Sequence, residues 1–179
     1  MNSLIKSVLA LGLFTLVAAC DPTRDLVDAP VDLGEFKLGH NIVIAPDATP
    51  LPGSRKATEE EWVAAMTAAM DARFGRYQGE KLYHFGISVD AYNLAPIDVP
   101  GIPTPKSALG VTVSIWDDAK GIKLNKDPKR ITVLGVFSGT GIQPARQAQI
   151  ENLSALAAKS IENWLLENPA WFDLPETAQ

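Results

Sequence analysis

Four groups of residues in this 179-residue sequence have types that could do chemistry. His84, Ser88 and Asp90 are the types of a base, a nucleophile and an orienting acid. They share parity in one alternating run, and a strand rises about 3.3 Å per residue, so His84 and Ser88 would stand roughly 13 Å apart. No proton passes directly over that distance, and no Gly-x-Ser-x-Gly turn accompanies them. They read as the solvated face of a sheet. His40, His84, Asp90, Asp117 and Asp118 carry ligand atoms for a metal. No His-x-x-x-His, Glu-x-x-His or calcium-loop spacing links them, so no metal site is expected. Ser138-Gly139-Thr140-Gly141 precedes a helix as an anion-binding turn would. The lysine of a phosphate loop and the parallel β-α-β unit of a dinucleotide site are both missing from the reading, which leaves a flexible connection. The fourth is Cys20, the single cysteine, which excludes an internal disulfide and any cysteine cluster.

The elements that must position these residues follow from periodicity. Phe36, Leu38, His40, Ile42 and Ile44 alternate with Lys37, Gly39, Asn41, Val43 and Ala45, which predicts a first strand. Residues 46–54 hold three prolines and a glycine and read as loop. Thr58 followed by Glu59-Glu60-Glu61 signals a helix start with a capping box. Trp62, Met66, Ala69, Met70 and Phe74 then form its apolar stripe, with Gly75 near the end. A second strand is predicted over 81–92, with Tyr83, Phe85, Ile87, Val89 and Ala91 on one side and His84, Gly86, Ser88, Asp90 and Tyr92 on the other. Val111, Val113 and Ile115 give a third strand its core face. Turns at 117–121 and 125–128 then lead through Ile122–Leu124 and Ile131–Phe137 in a meander. A closing helix runs from about Pro144 to Glu167, with Ile150, Leu153, Ala157, Ile161, Trp164 and Leu165 as its stripe. Asn168-Pro169 stops it, and Trp171, Phe172 and Leu174 are positioned to fold back. The expected fold is α+β, a two-layer sandwich of a mostly antiparallel sheet with two helices packed on one face.

Cys20 gains meaning from what precedes it. Lys6 gives a short positive start, and Ser7 to Ala19 is an uncharged apolar run of 13 residues. That is short for a bilayer span, which takes about 20, and it has the anatomy of a secretory signal. Val17-Ala18-Ala19-Cys20 resembles the lipobox of bacterial lipoproteins. The resemblance implies cleavage before Cys20, a diacylglycerol thioether on its sulfur and acylation, palmitate included, of the new amino terminus. Two or three buried chains hold stably where one does not, at about 0.8 kcal/mol per CH₂. Asp21 resembles an inner-membrane retention signal of enteric bacteria, which leaves inner against outer membrane open. The expected organisation is a signal peptide at 1–19, a lipidated extended tether at 20–34, one domain at 35–175 and a polar tail at 176–179. An extended tether of that length would lift the domain about 40 Å, unless its apolar Leu26, Val27, Val31 and Leu33 dock part of it.

Charge narrows the partners. The formal net charge is −5, and removing the leader with Lys6 makes it −6. Nucleic acid is a poor partner for such a surface, and charge alone does not hold it to anionic lipid. Lys120, Lys123, Lys126, Lys129 and Arg130 cluster around one hairpin. They protect sheet edges from pairing, or face an anionic headgroup or acidic protein. The run 93–109 carries four prolines and is long for a connection in a compact domain. Its apolar residues either tuck against the sheet or dock an envelope protein, with Ile97, Val99, Ile102 and Leu109 as the partner-binding candidates.

The lipobox, acidic tether and β-α-β-β-β-α order are together similar to the auxiliary lipoproteins of ABC-type lipid transport systems. The closing-helix segment Asn152-Leu153-Ser154-Ala155-Leu156-Ala157-Ala158 resembles theirs, while the long 93–109 loop departs from the compact connection expected there. The resemblance implies no catalytic motif and no cofactor beyond the covalent lipid. The expectation is a periplasm-facing, membrane-anchored, non-enzymatic accessory or binding subunit of an envelope complex. The alternative is a small periplasmic hydrolase or ligand-binding protein.

Overall fold

A computed structural model describes residues 21–46, 48–95, 107–135 and 146–175. Cys20 with its leader, the docking candidates Ile97, Val99 and Ile102, the Ser138–Gly141 turn and the tail 176–179 lie outside the described residues. The elements run β1 (Phe36–Ile44), β2 (Thr49–Pro50), α1 (Glu59–Phe74), β3 (Lys81–Asn93), β4 (Ser107–Asp117), β5 (Ile122–Lys123), β6 (Lys129–Gly135) and α2 (Arg146–Leu166). They build one six-stranded sheet with β3 and β4 at its centre. β4 pairs antiparallel with β3, β5 and β6, while β1 and β2 run parallel to β3. The fold is α+β with both helices packed against the sheet, as expected. The sheet is mixed, however, and β1-α1-β3 is a parallel β-α-β unit that the sequence reading excluded. A parallel neighbour needs a long crossover, which α1 supplies. The chain entering α1 carries only Gly53 between residues 45 and 58, so the unit lacks a phosphate-binding glycine run.

α1 begins where the chemistry of its first turn dictates. The Thr58 hydroxyl accepts from the Glu61 amide, and the Glu61 carboxylate accepts from the Thr58 amide at 2.8 Å. Trp62, Ala65, Met66, Met70 and Phe74 are buried, at the helical spacing. Phe36 sits at the centre of an aromatic cluster. It stacks on Tyr83 at 5.1 Å and meets Phe74, Tyr77, Phe85 and Phe172 within 6.2 Å. Each such ring contributes about 1.5–3 kcal/mol by leaving water. Phe172 closes the core from the C-terminal side, as its sequence position suggested. α2 buries the whole expected stripe and also Gln149, Ser154 and Glu162.

Two bulges change the side-chain parity that simple alternation predicts. Between Leu38 and Asn41 β1 carries one residue more than β3 does between Tyr83 and Phe85. Phe36 therefore points to the core, but beyond the bulge Val43 and Ala45 do so, and Ile42 and Ile44 face solvent. In β3 the extra residue is Asp90, set between Val89 and Ala91 against consecutive Val111 and Gly110. Tyr92 is thereby turned into the core, contrary to the alternating reading. A bulge inserts one unpaired residue, and a shift of one residue exchanges faces.

Two further expectations are corrected. β4 starts at Ser107, so Leu109 is a strand residue paired with Tyr92 and Val133 and fully buried. It is core and offers no partner a surface. The Ser107 hydroxyl accepts from the Ala95 amide and donates to Gln149, tying this strand start to α2. Residues 21–34 do not stand out as an extended tether. They form a 3-10 turn at Arg24–Val27 and lie against the domain, with Pro22 and Leu33 buried. The reason is a buried cation: Arg73 of α1 is 2% exposed and needs anionic partners, which this segment supplies.

Candidate functional site

α1 and α2 cover one face of the sheet. The other is bare of any described element. The β1 bulge puts Ile42 and Ile44 on it, 60% and 50% exposed. Leu82, His84, Gly86 and Ser88 of β3, Ala108, Gly110, Thr112, Ser114 and Trp116 of β4, and Thr132 and Leu134 of β6 share it by register. A groove of about 480 Å³ opens at one end of this face, lined by His40, Ile42, His84, Gly86, Trp116 and Asp118 among others.

Both nitrogens of His84 are committed. Nδ1 accepts from the His40 backbone N–H at 2.7 Å, and Nε2 lies 2.9 Å from Asp118 Oδ1. An amide can only donate, so Nδ1 carries the lone pair and Nε2–H donates to Asp118. The His40 ring stacks on it with centroids 4.8 Å apart. His84 thus clasps the bulge of β1 to the turn after β4, with no lone pair left for proton abstraction or a metal. The bulge needs Gly39 for this: a Cβ there would lie 2.4 Å from Nδ1 of His84. Two strand positions over, the Trp116 indole reaches over Gly86, where a Cβ would meet it at 3.1 Å. Lys123 Nζ stands 5.9 Å from the Trp116 ring centroid, within reach of a cation–π contact.

The other sequence candidates fall as follows. Ser88 shares the bare face with His84, but Asp90 is in the β3 bulge and accepts from the Thr112 hydroxyl at 2.6 Å. The three do not converge. His40 and His84 are neighbours because β1 pairs with β3. Among the described residues no group of three or more His, Cys, Asp or Glu could hold a metal ion. The basic cluster is divided between surroundings. Lys120 pairs with Asp117 at 3.2 Å, Lys123 lies over Trp116, and Lys129 stands 5.9 Å from the Trp164 ring. No helix among the described residues is long and apolar enough to cross a membrane.

Sequence reasoning passed over Ile42, Ile44 and Trp116 as surface residues. The signal available was Ile42-Val43-Ile44-Ala45 itself: four consecutive apolar residues place apolar side chains on both faces of any strand. Trp116 pairs with His84 and Lys123 and reaches over Gly86 only because of the cross-strand register, which chain order alone does not reveal.

No protein-family model matches this chain, and no curated protein does. Solved structures offer likenesses of differing strength. A Xanthomonas campestris protein of the DUF330 family superposes with a TM-score of 0.51 at 13% identity, over 76% of this chain and 87% of that one. A Caulobacter crescentus CB15 protein named as a candidate lipoprotein gives 0.40 at 16% identity, over 79% and 92%. A minor lipoprotein of Acinetobacter baumannii gives 0.36 at 14% identity, over 69% and 92%. At 13% identity the DUF330 likeness is one of fold.

Proposed function

We propose that this chain is a lipid-anchored, non-enzymatic binding subunit of a cell-envelope assembly, held to its membrane through Cys20 and meeting a protein partner with the bare sheet face. The observation that carries the reading is that face: Ile42, Ile44, Leu82, Trp116 and Leu134 are all more than a third exposed on one side of the sheet. Of these, Ile42 and Trp116 come together beside Gly86 in the groove, and a monomer rarely leaves large apolar side chains grouped in this way without a use for them. His84 spends both ring nitrogens on internal contacts and Asp90 accepts from Thr112, which favours docking over turnover. The lipobox supports the anchor. The resemblance to auxiliary lipoproteins of ABC-type lipid transport systems supports an assembly that moves lipid across the envelope.

The test is in the native host. A photoactivatable residue at position 42 or 44 is expected to give one discrete adduct with the same envelope protein, absent when the residue sits at position 60 on α1. Adducts of equal strength at all three positions, or none, overturn the docking reading. A Cys20→Ser chain is expected to leave the membrane fraction. Its retention there at the parent's level overturns the anchor.

A further inference from the structure

We infer that residues 21–28 form a rigid strap that seats the helical layer of the domain on the lipid surface and turns the bare sheet face away from it. The inference rests on the reading of Cys20 as the lipid anchor. A lipid on Cys20 is one residue from Asp21, and consecutive Cα atoms are about 3.8 Å apart. Whatever holds Asp21 to the domain therefore sets the distance from lipid to protein.

The hold is extensive. Arg73 donates from both terminal nitrogens to the Asp25 carboxylate, at 3.1 and 3.0 Å, and from Nη2 to the Pro22 carbonyl at 2.9 Å. Lys159 of α2 reaches Asp25 at 3.2 Å. Arg76 donates to the carbonyls of Asp25 and Asp28, each at 3.1 Å. Behind them Glu162 of α2 binds Arg73 at 2.5 Å, Arg76 at 3.3 Å and the Tyr77 hydroxyl at 2.7 Å. Ahead of them Asp21 accepts from the amide and hydroxyl of Thr23. Hydrogen bonds from Arg73 hold the Asp25 carboxyl well below the usual carboxylate range, against the opposing effect of burial. Peeling the strap away would take from Arg73, which is 2% exposed beneath it, the Asp25 carboxylate and the Pro22 carbonyl and leave Glu162 as its one carboxylate, so the docked form is the stable one.

Arg73, Arg76, Lys159 and Glu162 all belong to α1, its C-terminal exit or α2. Trp116 and Ile42 lie across the sheet from them. An anchor leaving from the strap thus brings lipid to the helical side, with no 40 Å spacer, and presents the opposite face to the aqueous compartment.

The experiment uses the full chain as purified from its host and placed in nanodiscs that contain a gadolinium-chelate headgroup lipid. Backbone amide broadening is expected to be several-fold stronger at residues 21–28 and around Arg76 and Asn163 than at 107–116. Inserting about fifteen Gly/Ser residues between Cys20 and Asp21, a coil with a reach of about 20 Å, leaves every strap contact intact. It is expected to weaken the broadening and make it even. An Asp25→Ala chain that keeps its fold is expected to shift the same way. A parent pattern already as even as that of the insertion, or strongest around Ile42 and Trp116, overturns the inference. Protein that arrives without lipid overturns the anchor alone. Its Cys20 thiol is then joined to a maleimide-headgroup lipid, and the broadening map still decides the orientation.

Discussion

β3 and β4 present two faces of the same residues' backbone, and the faces are built on opposite plans. On the helix side Tyr83, Phe85, Ile87, Val111, Val113 and Ile115 are nearly fully buried beneath Trp62, Met66, Met70, Leu153 and Ile161. On the bare side the centre is small and polar, with Gly86, Ser88, Gly110, Thr112 and Ser114, and the large apolar residues stand at the margins. The first face gains its stability from close packing of side chain on side chain. The second gains little from its apolar residues, because they remain in contact with water. That contrast separates residues kept for the fold from residues available for a partner. Substitutions of like size on the two faces measure it.

The largest difference is expected between two aromatics. Phe36→Ala removes the ring around which five others are gathered and should cost about 3–5 kcal/mol in denaturant unfolding. Trp116→Ala removes a larger ring from the bare face, where 37% of the residue is exposed. Its cost should be smaller, about 2 kcal/mol, since roughly two-thirds of its area is covered but no second layer packs over it. Equal losses for the two would erase the distinction between the faces.

Gly39→Ala probes the hinge between them. The added Cβ would collide with His84 and expel the imidazole from its place against the His40 amide. A loss of about 1–3 kcal/mol is expected, since a bulge amide then lacks its acceptor. Nitrogen NMR of the His84 ring reads the same event, as loss of the Nε2–H tautomer that the parent should show. A ring that stays in that tautomer in the variant would mean the clasp does not depend on the bulge.

Glu61 reports on the helical side. Hydrogen bonds from Arg146, and then from the Thr58 amide, hold its carboxyl down at about 2, from an ordinary 4.5. Its folded value lies below its unfolded value, so the unfolded chain binds more protons between them. The contribution is therefore present above about 4.5 and is lost as pH falls toward 2. Glu61→Gln should cost about 1 kcal/mol near neutral pH and should flatten the stability profile across that acid window. A profile unchanged in the window would mean that the pair of Glu61 and Arg146 does not join the starts of α1 and α2.

How far the sequence foretold these faces depends on which physics each residue obeys. The capping box at Thr58, the stripes of both helices and the core side of β4 from Val111 to Ile115 were legible. Local propensity and period agree there with the final packing. Parity failed in β1 and β3, at His40 and Asp90, because a bulge is decided by the neighbouring strand. Arg73 and Glu162 are charged residues on helices, and no local pattern marks them as buried. Only the fold brings them together and draws Asp25 over them, which is why residues 21–34 read as a tether. Leu109 looked like part of a proline-rich loop because β4 begins before its clear alternation does. Of the candidate site, His40 and His84 were singled out by their type, but the exposure of Ile42 follows from the bulge and that of Trp116 from the pairing of β3 with β4, and neither was foreseen.

The smallest expected effect is the most informative about function. Ile42→Ser removes a side chain that is 60% exposed, on a strand position opposite Gly86. Little area returns to water, so stability should change by about 0.5 kcal/mol or less. Val43→Ser, one residue along, opens the core and should cost several times as much, because Val43 is 8% exposed and packs toward α1. If the bare face is a docking surface, the order reverses when partner capture is read in the host. Ile42→Ser should lose most of the adduct seen from position 44 while its melting curve overlays the parent's. A partner bound there would supply the layer that α1 and α2 supply on the other side. Ile42 would then behave in the complex as Val43 already does in the free chain. If Ile42→Ser kept the adduct at full strength, the exposed apolar residues would be tolerated surface, and the two faces would differ in packing alone.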